Sequence, residues 1–214
     1  MQPILSFVGR SDSGKTTLLG EVIAVLKQHG FKIAVIKHAQ NFELDKPGKD
    51  SWLFNQSGAD TVILSSPKGL ALLKMSDKDP APQEIARLIN SDIDLILTEG
   101  FKKSRTTKIE VHRKAQGTGL LVPPEQLLAV VTDEPLDVNI PQFTRDDIRG
   151  LVNLIEKWLQ KQPREEIELQ VNDTFVPLNT FVRNIFRKTV IAMVSSLKGI
   201  GKINNLHIHL KNKP

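Results

Sequence analysis

Ile4 to Val8 is apolar at nearly every position, the pattern of a strand buried on both faces of a parallel sheet. From Lys15 to His29 the apolar residues Leu18, Leu19, Val22, Ile23, Val25 and Leu26 recur at helical spacing, and Gly30 stands where a C-cap belongs. Lys32 to Ile36 reads as a second strand. Residues 37 to 51 carry turn formers without a period, the signature of a long functional loop, and a short helix from about Trp52 to Ser57 ends at Gly58. Thr61 to Leu64 and Leu70 to Leu73 flank a Pro67-Lys68-Gly69 turn and predict a hairpin.

Pro82 to Asn90 reads as a helix, and Ile93 to Thr98, Lys108 to His112 and Leu127 to Thr132 as further strands. Thr144-Arg145-Asp146-Asp147 starts a capped helix that runs to about Lys161. Strands alternating with helices imply right-handed crossovers and a mostly parallel, twisted α/β sheet flanked by helices. The polar stretch Pro163-Arg164-Glu165-Glu166 breaks the pattern, so the expected domains are 1–162 and a small extension, 163–214. In the extension, Ile167 to Val171 and Thr174 to Val176 suggest a hairpin. Asn179 caps an amphipathic helix ending near Gly199, and His207 to Leu210 alternates as a final strand.

Composition narrows the class. The 214 residues are 40% hydrophobic and 25% charged, as in a soluble globular protein, and no apolar run approaches the roughly 20 residues that cross a bilayer. With no secretory signal pattern at Met1-Gln2-Pro3-Ile4-Leu5, the expectation is a cytoplasmic protein without a membrane partner. The absence of cysteine excludes disulfides, thiolate metal sites and a cysteine nucleophile. Of 29 Lys and Arg, seven lie between Thr174 and Pro214, where there is no Asp or Glu; the remaining 22 face 24 acidic residues, so the basicity belongs to the tail.

The chemistry begins at Gly9-Arg10-Ser11-Asp12-Ser13-Gly14-Lys15-Thr16, a G-x-x-x-x-G-K-T phosphate loop placed between a buried strand and an amphipathic helix, as a P-loop NTPase requires. Its glycines let successive N–H groups, those of Asp12, Ser13 and Gly14 among them, wrap an oxyanion at a helix N-terminus. Lys15 supplies a point charge between the β- and γ-phosphates, Thr16 a hydroxyl for Mg²⁺, and Thr17 a reach to the α-phosphate. A bound Mg²⁺ calls for a carboxylate at a strand's C-terminal end. In Asp94-Leu95-Ile96-Leu97-Thr98-Glu99-Gly100, Asp94 stands at the wrong edge and Glu99 at the right one. In the 37–51 loop the chemically useful residues are Asp45, Lys49, Asp50 and Ser51, while His38 is more economically a structural histidine than a base.

For the base, a carboxylate accepting from N1–H and the exocyclic amine selects guanine over adenine. The Asn-Lys-x-Asp signature is absent, and Val130-Val131-Thr132-Asp133 leaves Asp133 as the candidate, with a turn-forming Asp as the competing reading.

Taken together, the phosphate loop, Lys37-His38, Asp45-Lys46-Pro47-Gly48-Lys49-Asp50-Ser51, Ser57-Gly58-Ala59 and Leu97-Thr98-Glu99-Gly100-Phe101-Lys102 resemble the MobB family of molybdopterin-guanine dinucleotide biosynthesis over about residues 3 to 160. The resemblance implies a dimeric GTP-binding protein of low GTPase activity, assisting the nucleotidyltransferase that joins GMP to the molybdenum cofactor, with molybdopterin a second candidate ligand. It also implies that Asp45 joins Thr16 and Glu99 at the metal and Lys15 and Glu99 in catalysis, and that Lys49 and Asp50 contact the nucleotide. Ala39-Gln40-Asn41 departs from the histidines that often follow Lys-His in the family. The alternatives are a nucleotide-binding adapter that does not hydrolyse, and a small-metabolite kinase using Lys102-Lys103-Ser104-Arg105 as its lid.

In the tail, Phe181, Val182, Ile185, Phe186, Val190, Met193, Val194 and Leu197 form an apolar stripe. Arg183, Arg187 and Lys188 read as a solvated face or as a contact for an anionic partner. No recognition motif accompanies them, which argues against nucleic acid. His207 and His209 share one strand face but lack a third ligand.

Overall fold

A computed structural model of the chain describes residues 2–39, 47–89, 92–162, 167, 169–172, 174–203, 206 and 208. Two compact units result, Gln2–Gln162 and a smaller one from Pro163 onward. In chain order the larger contains β1 (Ile4–Gly9), α1 (Lys15–Gln28), β2 (Ile33–Lys37), α2 (Asp50–Gln56), β3 (Thr61–Ser66), β4 (Gly69–Lys74), α3 (Pro82–Ala86), β5 (Leu95–Glu99), β6 (Thr107–Val111), β7 (Leu127–Val131), β8 (Gln142–Phe143) and α4 (Ile148–Gln160).

The main sheet has the order β2-β5-β1-β6-β7-β8, and every pairing in it is parallel. The expected α/β class is therefore the observed one. Because side chains alternate along a strand, Leu5 and Phe7 of β1, Leu95 and Leu97 of β5 and Ile109 and Val111 of β6 share one face. That face packs on Leu18, Val22 and Leu26 of α1 and Leu151, Val152 and Ile155 of α4. The Asp147 side chain caps α4 by accepting the Gly150 N–H at 2.9 Å. On the opposite face, Ile36 and Ile96 pack with Ala86 and the half-buried Ile4, Ile85, Ile93 and Phe101.

Farther along that second face the sheet interior turns polar. Ser6, Thr98, Thr106, Lys108, Glu110 and His112 are all buried. Thr98 Oγ1 donates to Ser6 Oγ at 2.8 Å, and Thr106 Oγ1 lies 2.6 Å from Ser6 Oγ and 2.7 Å from Ser104 Oγ. Lys108 Nζ donates to the Ser104 and Thr106 carbonyls and to Gln126 Oε1 at 2.5, 2.8 and 2.9 Å. The Glu110 carboxylate accepts the Leu121 and Val122 amides, the nearest at 2.8 Å. His112 Nε2 lies 3.3 Å from Glu134 Oε1, so each residue of this row has a partner, as burial demands, and the segment between β6 and β7 is fastened over β6.

One expected element is shorter in the structure. The helix expected over 82–90 stops at Ala86, where Leu88 and Ile89 donate three residues back and tighten the chain. Hairpin β3–β4 forms its own two-stranded sheet, and the short β8 joins the main sheet at its edge.

In the smaller unit, β9 (Leu169–Val171) and β10 (Thr174–Val176) pair antiparallel. Asn179 caps α5 (Thr180–Ser195) by accepting the Val182 N–H at 2.9 Å, and no residue of α5 is buried. The strand expected at His207 to Leu210 includes residues outside those described, His207 and His209 among them.

Candidate functional site

Strand β1 delivers the chain to the C-terminal edge of the sheet, where Gly9 begins the loop that ends in α1. A Cβ on Gly9 would stand 2.5 Å from the Val111 carbonyl oxygen and 2.7 Å from Ser13 Oγ, so only glycine lets the loop turn this close to β6. Asp12 and Gly14 have positive φ of 58° and 86°, a left-handed geometry that gathers backbone N–H groups into an anion-binding nest. Ser13 is fully buried beneath the loop. Lys15 Nζ folds back onto the Arg10 carbonyl at 2.5 Å, in the loop's own concavity. Partial burial is the main cause of a lowered Lys15 pKa; Glu99 and Asp12 oppose it, and the neighbouring ammonium groups of Lys102 and Lys37 add to it.

Across the sheet, β5 ends with Glu99. The Thr16 hydroxyl lies 3.0 Å from each Glu99 carboxylate oxygen, and Lys37 Nζ lies 3.4 Å from Oε1. A hydroxyl from the first turn of α1 and a carboxylate from the neighbouring strand thus present two hard oxygen donors beside the phosphate loop, a donor set that fits Mg²⁺. No group of three or more His, Asp or Glu side chains suited to a metal exists among the described residues. The remaining ligands of such a site would be phosphate oxygens and water, as is usual for Mg²⁺ on a nucleotide.

Other singled-out residues fall elsewhere. Lys49 and Asp50 are exposed at the start of α2, and among the described residues neither is hydrogen-bonded to the phosphate loop. Asp45 lies outside the described residues. His38 has its Nε2 2.9 Å from Asp79 and its ring against Phe101, the geometry of a packed histidine. Asp94 accepts the Lys32 N–H at 2.9 Å, at the far edge from the phosphate loop. Asp133 is exposed, and its Oδ1 accepts the Lys114 N–H at 2.9 Å. Thr17 sits in the exposed first turn of α1.

Two residues the sequence did not advertise hold the loop from outside. Arg113 Nε donates to the Ser13 carbonyl at 3.0 Å, and Gln116 Nε2 donates to the Ser11 carbonyl at 2.7 Å. Both follow β6, the strand next to β1, so the parallel order places them against the loop across about a hundred residues of sequence. The clamp thus takes two of the loop's carbonyls and leaves its N–H groups out of these contacts.

The family model for molybdopterin guanine dinucleotide synthesis protein B matches residues 4–133, from β1 through Asp133. The chain belongs to the MobB family. An Escherichia coli K12 protein named molybdopterin-guanine dinucleotide biosynthesis adapter protein is 35% identical over 171 residues, covering 76% of this chain and 96% of its own. A Methanocaldococcus jannaschii relative is 24% identical, with 97% of each chain covered. A crystal structure of molybdopterin-guanine biosynthesis protein B is 33% identical and superposes with a TM-score of 0.56, over 74% of this chain and 99% of that one.

Proposed function

We propose that this chain is a GTP-binding adapter of molybdopterin-guanine dinucleotide biosynthesis, a slow GTPase that serves a partner nucleotidyltransferase. The observation that carries this reading is the convergence of Lys15, Thr16 and Glu99 at the mouth of the phosphate loop, in a chain of the MobB family. In this reading the nest amides of Asp12 to Lys15 hold the β-phosphate, Lys15 spans the β- and γ-phosphates, and Thr17 reaches the α-phosphate. Thr16 and Glu99, joined by Asp45, hold Mg²⁺, which when bound offsets charge on the phosphate oxygens. Lys49 and Asp50, at the start of α2, contact the nucleotide, and the Asp133 carboxylate reads guanine.

Slow turnover suits the side chains present. Glu99 is engaged by Thr16 and Lys37 and so is poorly placed to act as a base for water. Retention of GTP for a partner fits such a site better than rapid hydrolysis. A homodimer is supported by hairpin β3–β4, one face of which leaves Ile63, Leu70 and Leu72 exposed as an apolar surface.

The test is reconstitution with the partner nucleotidyltransferase. Added wild-type protein should raise the yield of molybdopterin-guanine dinucleotide at limiting GTP, and Lys15→Ala should abolish the gain. Equal stimulation by both proteins would overturn the reading.

A further inference from the structure

Strands β2 and β5 are parallel neighbours in which Lys37 and Glu99 are paired positions. By the two-residue alternation, Lys37 leaves the sheet on the same side as Ile33, and Glu99 on the same side as Leu95 and Leu97. Ile33, Leu95 and Leu97 all pack with α1. Lys37 and Glu99 therefore emerge where α1 begins, at Lys15 and Thr16. The strand order β2-β5-β1 sets Lys37, Glu99 and the phosphate loop in a row along one sheet edge.

The ion pair does little for the fold. The Lys37 side chain is 59% exposed and that of Glu99 13%; at 3.4 Å from Glu99 Oε1 the wet ammonium is largely screened by water, so its contribution to stability is small. It does alter the charge at the mouth of the loop. The ammonium groups of Lys15, Lys37 and Lys102 crowd together, with Glu99 and Asp12 as the opposing carboxylates, and their mutual repulsion helps to lower the Lys15 pKa. Such a surplus of fixed positive charge is complementary to an anion of high charge. Glu99 cannot face both a divalent cation and Lys37 with full strength, so cation binding frees Lys37 at a point beside the terminal phosphate.

We propose that Lys37 is a γ-phosphate contact that makes the site prefer a nucleoside triphosphate over the diphosphate, exchanging Glu99 for the terminal phosphate when Mg²⁺ binds. This rests on the function proposed above. In the absence of nucleotide and metal, Lys37 pairs with Glu99 and offsets its charge. With Mg²⁺ and a diphosphate, Lys37 is released from Glu99 as well but has no terminal phosphate to reach, so it adds little to affinity.

The experiment is calorimetric titration of the full chain with GTP and GDP, each with Mg²⁺ and with EDTA, for wild type, Lys37→Met and Lys37→Arg. A charge-assisted contact of ordinary strength predicts that Lys37→Met weakens GTP binding about 10- to 100-fold in Mg²⁺ and GDP binding less than about threefold. Lys37→Arg should keep most of the discrimination, and thermal unfolding should be unchanged in both variants. An equal loss for GTP and GDP would make Lys37 only a support for Glu99, and no loss for either would make it a bystander; both overturn the proposal. Failure of wild type to bind either nucleotide would instead overturn the proposed function, and the inference with it.

Discussion

The Thr16 hydroxyl and the Glu99 carboxylate, 83 positions apart in sequence, meet at 3.0 Å because β5 lies directly beside β1. In the proposed function these two groups hold Mg²⁺. Thr16→Ala or Glu99→Gln should weaken GTP binding about 10- to 100-fold in Mg²⁺ and scarcely in EDTA. Titrations of the two single variants and the double variant check this: the double should lose little more than either single, since the residues act as one unit.

Lys15 gives the site a pH dependence of known sign. Its pKa in the free protein is lowered, chiefly by burial. A bound phosphate favours the charged form and raises it again. Between those two values binding takes up a proton, so affinity falls as pH rises through the window and is independent of Lys15 below it. Proton uptake measured in buffers of different ionisation enthalpy should be lost in Lys15→Arg, whose guanidinium does not titrate. Uptake that persists in the variant would assign it to another group.

The clamp on the phosphate loop should act on every phosphate ligand alike. Removing the donors of Arg113 or Gln116 frees the Ser13 or Ser11 carbonyl and lets the loop fluctuate. Arg113→Ala and Gln116→Ala are each expected to weaken GTP and GDP by the same factor, about 3- to 30-fold. Hydrogen exchange of the 10–14 amides should accelerate in parallel. A loss confined to GTP would show instead that these side chains touch the terminal phosphate.

How much of this was legible depended on the range over which each residue acts. The phosphate loop declares itself locally, because nest, lysine and hydroxyl sit within eight consecutive residues. Glu99 was legible as an acid at the exit of a buried strand. Lys37 as its partner was not, since nothing local says that β2 lies beside β5. Arg113 and Gln116 act on backbone carbonyls, which leave no trace in side-chain patterns. Strand β6 alternates in a way that suggests one wet face, yet Lys108, Glu110 and His112 are buried under the segment that follows. Only the tertiary cover distinguishes a buried polar row from a solvated one.

Lys108 makes that row testable. Burial lowers its pKa, so as pH rises the folded chain loses this proton before the unfolded chain does. Between the two pKa values the unfolded state binds more protons, and stability rises with pH. Lys108→Met leaves two carbonyls and Gln126 Oε1 without their donor, which should cost about 1–3 kcal/mol at neutral pH and abolish the alkaline rise. Urea denaturation across neutral and alkaline pH measures both effects.

In the proposed function the site holds GTP in preference to ATP, the base being read by Asp133. The most direct test is titration of the full chain with GTP and ATP in Mg²⁺, with Asp133→Asn alongside. The account predicts saturable GTP binding at least about tenfold tighter than ATP, as expected when one carboxylate reads the base edge, and loss of that preference in Asp133→Asn. ATP binding as tight as GTP would contradict it.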